Sequence, residues 1–135
     1  MGNERGVIRN RQYATQVRDF SGLRFGNITP TDIDGMIEYK NLAYVYIETK
    51  FENASLPFGQ RLALERQCDD MSKVKPTMAI IASHNSDGDI DVGSTTVTEY
   101  RFRGRWRTRE ATTTTHDLIE RFFNWVEHGA DLGAA

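Results

Sequence analysis

The chain has 135 residues and a formal net charge of −2, with 39% of its residues apolar and 27% charged, which excludes a disordered chain and leads us to expect one compact domain over residues 1–135. Its single cysteine, Cys68, excludes an intrachain disulfide, and no apolar run approaches the roughly 20 residues of a membrane span. The polar stretch from Met1 to Phe20 does not read as a signal peptide, so the expectation is a soluble, cytoplasmic protein with no membrane partner.

In chain order, Asn10 to Phe20 reads as a helix, with Tyr13, Val17 and Phe20 at i, i+4 and i+7. Ser21-Gly22 and Gly26-Asn27 mark a loop. Thr31 to Tyr39 looks extended. Leu42 to Phe51, rich in tyrosine, valine and isoleucine, is a stronger strand, and Lys40-Asn41 between them allows a tight hairpin. Pro57 opens a helix running to about Lys73, with Ser55 as its possible cap and Phe58, Leu62, Leu64, Cys68 and Met71 on a broad apolar side. Thr77 to Ser83 is a short apolar run, as in a strand covered on both faces. An acidic turn at Asp87-Gly88 leads to Thr95–Arg109, a long strand or a bent hairpin around Gly104. The last helix starts near Thr115, carries Ile119, Phe122, Phe123 and Val126 on one side, and ends at Gly129. The expected order is α-β-β-α-β-β-α, an α/β fold whose mixed central sheet is flanked by helices.

The acids concentrate around Asp32 to Glu38 and Asp87 to Asp91, and five arginines fall between Arg101 and Arg109. Such separation suits a protein holding cations in one place and phosphates in another. On an extended segment Asp32 and Asp34 share one face, and on the next strand Glu48 and Lys50 share a face opposite Ile47 and Thr49. Antiparallel pairing of these strands would bring their carboxylates within about 5–8 Å, the scale for gripping one Mg²⁺, which takes oxygen ligands at roughly 2.1 Å and keeps several waters. The ion would activate water and neutralise phosphate charge, and Lys50 could move or orient a proton once burial or the ion lowered its pKa. The plainer alternative for Glu48 and Lys50 is a solvated strand face with a cross-strand charge pair.

This arrangement resembles the PD-(D/E)xK nuclease superfamily, closely over residues 29–71 and elsewhere through element order. The family's pattern is an acid on one strand, then Glu or Asp, any residue, and Lys on the next. Asp34, Glu48 and Lys50 match it, although Pro30 is separated from Asp34 and Glu38-Tyr39-Lys40 also fits the string Glu-x-Lys. The resemblance implies a restriction-endonuclease-like fold and a Mg²⁺- or Mn²⁺-dependent enzyme hydrolysing DNA. It implies metal ligands at Asp34, Glu48 and the Thr49 carbonyl, with Asp32 as helper ligand or turn former, and a catalytic set of Asp34, Glu48, Lys50 and Gln60.

Arg101, Arg103, Arg105, Arg107 and Arg109 fall on one face if their strand runs straight, and phosphates would relieve their repulsion. The alternative is an edge strand blunted by charge. Cys68 reads as a core residue, His84, His116 and His128 lack metal-ligand spacing, and Ile90 stands where a calcium loop needs glycine. The expected function is therefore a DNA nuclease, with a homodimer through the last helix as the expected assembly. A non-catalytic nucleic-acid-binding module and an RNA nuclease are the alternatives.

Overall fold

Two stretches rich in β-branched and small apolar residues, Ala43–Phe51 and Thr77–His84, lie side by side at the centre of the fold. The computed structural model describes residues 19–109 and 111–129. By contacts the chain falls into two units, Met1–Pro30 and Thr31–Ala135. The described part of the first holds a 3₁₀ turn, Ser21–Leu23, and a bridge between Phe25 and Ile28 around Gly26, whose φ of 64° suits a residue without Cβ. The helix expected over Asn10 to Phe20 lies outside the described residues except for Asp19 and Phe20, which are not helical.

The second unit contains β1 (Gly35–Tyr39), β2 (Ala43–Phe51), α1 (Phe58–Ser72), β3 (Thr77–His84), β4 (Thr96–Phe102), β5 (Arg105–Arg107) and α2 (Thr115–His128). The strands form one mixed sheet in the order β1-β2-β3-β4-β5, with β2 and β3 parallel and every other pair antiparallel. Parallel neighbours need a long crossover, and α1 supplies it. The protein is thus an α/β fold with a five-stranded mixed sheet and two helices.

Lys40 and Asn41 turn the chain from β1 to β2 with φ of 52° and 60°, and the Leu42 N–H donates to the Tyr39 carbonyl at 2.7 Å. β3 is buried from Thr77 to Ala82, as its unbroken apolar run requires. One face of the sheet, with Val45, Ile47, Met78, Ile80, Tyr100 and Phe102, packs against Leu118, Ile119 and Phe122 of α2. The Thr114 hydroxyl caps α2 by accepting the Asp117 N–H, and Gly129 closes it in the left-handed region.

The other face carries Tyr46, Ala79 and Ile81, and α1 lies over it. Here the sequence expectation needs correcting. Only Leu64 and Cys68 of α1 are buried, Phe58 is 79% exposed, and no side chain caps the helix, so Ser55 is not its cap. Polar ties hold α1 instead. Arg61 pairs with Glu99, Glu65 accepts the Trp106 indole N–H, and the Arg101 guanidinium forks onto Asp69 at 2.8 and 2.7 Å.

The segment from Thr95 to Arg109 is a hairpin rather than one strand. Arg103 and Gly104 turn it with φ of 52° and 77°. The turn splits the arginine row: Arg101 joins Trp106 under α1, while Arg105 and Arg107 pair with Phe102 and Tyr100 on the α2 side. Arg103 lies over the Phe102 and Trp125 rings, and Arg109 donates to the Thr113 hydroxyl.

Candidate functional site

Side chains at 44, 46, 48 and 50 of β2 face α1, because alternation places Ala43, Val45 and Ile47 in the opposite core. This face turns polar at Glu48 and Lys50, near the strand's end. Residues 31–33 are not part of β1, which begins at Gly35, so Asp32 and Asp34 are not alternate residues of one strand. The reason is local. The Asp34 carboxylate accepts both the Thr49 N–H, at 2.8 Å, and the Thr49 hydroxyl, at 3.0 Å. A side chain thereby takes the β2 donor that a longer β1 would have met, and the ladder stops.

The consequence for geometry is favourable. The last pair of the ladder is Gly35 with Ile47, and beyond it the Asp34 carboxylate is held on Thr49, the residue after Glu48. Glu48 is only 3% exposed. Its carboxylate accepts the Gln60 side-chain N–H at 2.9 Å, and the Lys50 ammonium lies 3.6 Å from the same oxygen. Burial raises the Glu48 pKa above the ordinary carboxylate value; the negative Asp34 adds to the rise and Lys50 opposes it. Gln60 also reaches the Asp32 carbonyl at 3.4 Å, tying α1, β2 and the segment before β1 together. A hollow of about 150 Å³ beside Glu48 is lined by Thr31, Asp32, Ile33, Gln60 and Gln67 among others.

The structure therefore brings Asp34, Glu48, Thr49, Lys50 and Gln60 into one neighbourhood. Asp32 enters through its carbonyl, and its carboxylate acts on Glu48 only as a weaker negative charge. Comparison with protein-family models, with curated proteins and with solved structures gives no match. The site must be read from its own geometry.

Among the described residues no cluster of three or more His, Cys, Asp or Glu side chains is disposed to hold a metal ion. Two carboxylates suffice for Mg²⁺, which commonly binds through one or two and keeps several waters. A desolvated carboxylate whose nearest acidic neighbour raises its pKa is the donor set that gains most from a cation. In that limited sense the residues fit one.

Arg101 does not belong to a phosphate-binding row. It is buried and ion-paired to Asp69 and Glu65. Arg103, Arg105 and Arg107 have no carboxylate partner among the described residues, but they lie at the β4–β5 turn and on the α2 side of the sheet. Cys68 is buried, its thiol pushed up to about 11 mainly by burial, so it is no nucleophile. Sequence reasoning missed the Arg61–Glu99 pair and the Gln67 bond to the Tyr46 hydroxyl. The available signal was polar residues at 60 and 67 flanking Leu64 on one helical face.

Proposed function

We propose that this chain is a divalent-metal-dependent nuclease of the PD-(D/E)xK type, acting on DNA. The observation that carries the reading is buried Glu48 with Lys50 and Gln60 on its carboxylate and the Asp34 charge near enough to raise its pKa. Asp34, Glu48 and the Thr49 carbonyl would hold Mg²⁺ or Mn²⁺, which when bound supplies water activation and charge neutralisation at the phosphate. Lys50, on the same strand face as Glu48, holds or moves a proton next to the reacting phosphate. Gln60 fixes the Glu48 carboxylate, a positioning role rather than the catalytic one the resemblance implied. Arg103, Arg105 and Arg107 contact the DNA backbone away from the scissile bond, and Arg101 does not.

The test is cleavage of linear, nicked and branched DNA by the purified chain with and without Mg²⁺ or Mn²⁺. Metal-stimulated cleavage is expected, and Lys50→Ala should reduce it by about 10²–10⁴-fold, the usual span for loss of a proton-transfer group. If Asp34→Ala, Glu48→Ala and Lys50→Ala all cleave as fast as the parent protein, the assignment is wrong. One observation favours a second reading, a nucleic-acid-binding module without catalysis: one Asp34 oxygen is already occupied by both Thr49 donors. That module would bind DNA equally well in EDTA and tolerate Lys50→Ala.

A further inference from the structure

A hollow of about 210 Å³ lies at the amino end of β3, at the opposite end of the sheet from Lys50. Four of its lining residues are apolar, Val74, Pro76, Phe102 and Trp125, and the two charged ones, Lys75 and Arg103, are both cations. Its two hydroxyls are spent inside the fold: Ser72 donates to the Cys68 carbonyl at 2.7 Å, and Thr77 to the Lys75 carbonyl at 2.9 Å. The Lys75 ammonium meets the neutral side-chain oxygen of Asn41. Arg103 lies over the Phe102 and Trp125 rings and has no carboxylate partner among the described residues. Val74 is 71% exposed and Trp125 half-buried, so apolar surface at the rim faces water. What fits such a place is an apolar side chain next to a carboxylate.

The chain itself carries that pair within reach. After Gly129 it reads Ala130-Asp131-Leu132-Gly133-Ala134-Ala135, in which Asp131 is the one charge and Leu132 the one large apolar residue. Gly129 stands four residues after Trp125, hence one helical turn further on the same face of α2, and its N–H donates to the Trp125 carbonyl at 2.8 Å. Its left-handed φ of 66° ends the helix there and turns the chain off the helix axis. Three residues of chain span up to about 10 Å, enough to bring Leu132 from Gly129 back to the Trp125 ring. We infer that the segment 130–135 docks on this hollow, with Leu132 against Val74 and Trp125 and Asp131 on the Arg103 guanidinium. Docking covers Arg103, so a polyanion reaching the β4–β5 turn must first displace the segment. That consequence, unlike the docking, rests on the reading of Arg103 as a DNA contact.

The experiment is disulfide trapping in the full chain carrying Val74→Cys and Gly133→Cys, which leaves Asp131 and Leu132 in place. Cys68 stays out of the exchange, because its thiol is buried and pushed up to about 11. A bridge within one chain is expected. It should form at least about tenfold faster than in a chain carrying Gly88→Cys and Gly133→Cys, since exposed Gly88 follows the other end of β3. Leu132→Ser should slow the bridge about tenfold by removing the apolar anchor. Arg103→Asn, whose side chain tolerates the φ of 52°, should slow it about threefold by removing the charge. No bridge, a bridge joining two chains, or a rate unchanged by both substitutions overturns the proposal. Affinity for duplex DNA in EDTA is scored separately. Leu132→Ser, which leaves the net charge unaltered, should tighten it about threefold, and should change nothing in a chain that also carries Arg103→Asn. Bridging without that gain supports the docking and takes Arg103 off the nucleic-acid path.

Discussion

At Glu48 burial and the neighbouring Asp34 charge act in the same direction, and Lys50 opposes them. The Glu48 carboxylate is desolvated and feels the negative charge of Asp34, and both effects raise its pKa in the folded protein. The thermodynamic sign follows. At pH below the unfolded value of 4.5, Glu48 is protonated in both states and costs nothing. As pH rises past that value the unfolded chain ionises first, and the native state loses stability until the folded carboxyl ionises too. Glu48→Gln keeps the acceptor for Gln60 and removes the charge. We therefore expect the variant to melt at a higher temperature than the parent chain at pH 7 in EDTA, with the difference closing toward pH 4. A divalent cation reverses the order: added Mg²⁺ should raise the Tm of the parent chain by binding the folded state alone, and should leave Glu48→Gln unmoved. A variant less stable than the parent at pH 7 in EDTA would show that the Lys50 ion pair outweighs burial and the Asp34 charge together.

At the scale of elements, α1 is held over the sheet by side-chain charges more than by apolar packing, because only Leu64 and Cys68 are buried along it. Arg101 is the centre of that attachment, donating to Asp69 and lying against Trp106, which itself bonds Glu65. Removing it strips two charged hydrogen bonds from a nearly buried site. Arg101→Ala should destabilise the fold by about 2 kcal/mol, whereas Arg105→Ala on the exposed hairpin should stay within about 0.5 kcal/mol. Chemical denaturation of the two variants checks this, and equal effects would mean that the Arg101 fork is screened away. The same contrast explains what was legible in the sequence. β2, β3 and α2 were readable to within a residue or two, because they are written in alternation, in an apolar run and in the Thr115 start and Gly129 stop. α1 was located correctly, and Leu64, Cys68 and Met71 of its expected apolar side do pack on the sheet, but its polar ties were not legible, since partners such as Asp69–Arg101 lie 32 residues apart. The straight arginine row failed because the bent hairpin around Gly104, the other reading of Thr95–Arg109, is the one that forms, with Arg103 and Gly104 both at positive φ. In the site, Glu48, Lys50 and the nearness of Asp34 followed from alternation and hairpin register. Gln60 as a partner of Glu48 did not, because helix-to-strand bonds have no periodicity.

Over the second unit, charge is sorted by place. Glu48 and Asp34 lie by the carboxyl end of β2, and Arg103 and Arg105, with no carboxylate partner among the described residues, lie at the β4–β5 turn. Lys50 is level with Ser83, and Ser83 with Thr96 on β4, while the turn follows Phe102. From Thr96 to Phe102 is about 20 Å along the strand, and two strand spacings add about 10 Å sideways. The separation is therefore roughly 22 Å, or six to seven base-pair steps at about 3.4 Å each. A nucleic acid cut beside Lys50 must extend at least that far before Arg103 can touch it. Phosphate contacts release counterions, so the salt dependence of binding should steepen with substrate length. Substrates reaching less than about six steps from the cleavage position should show a shallow dependence of log Kd on log salt, unaffected by Arg103→Ala. Longer ones should show a steeper slope, which Arg103→Ala lowers by about 1. Titrations at several salt concentrations with short and long forms of one substrate decide the matter. Identical slopes for both lengths would place the hairpin arginines off the nucleic-acid path and leave their unpaired charge to the blunting of a sheet edge.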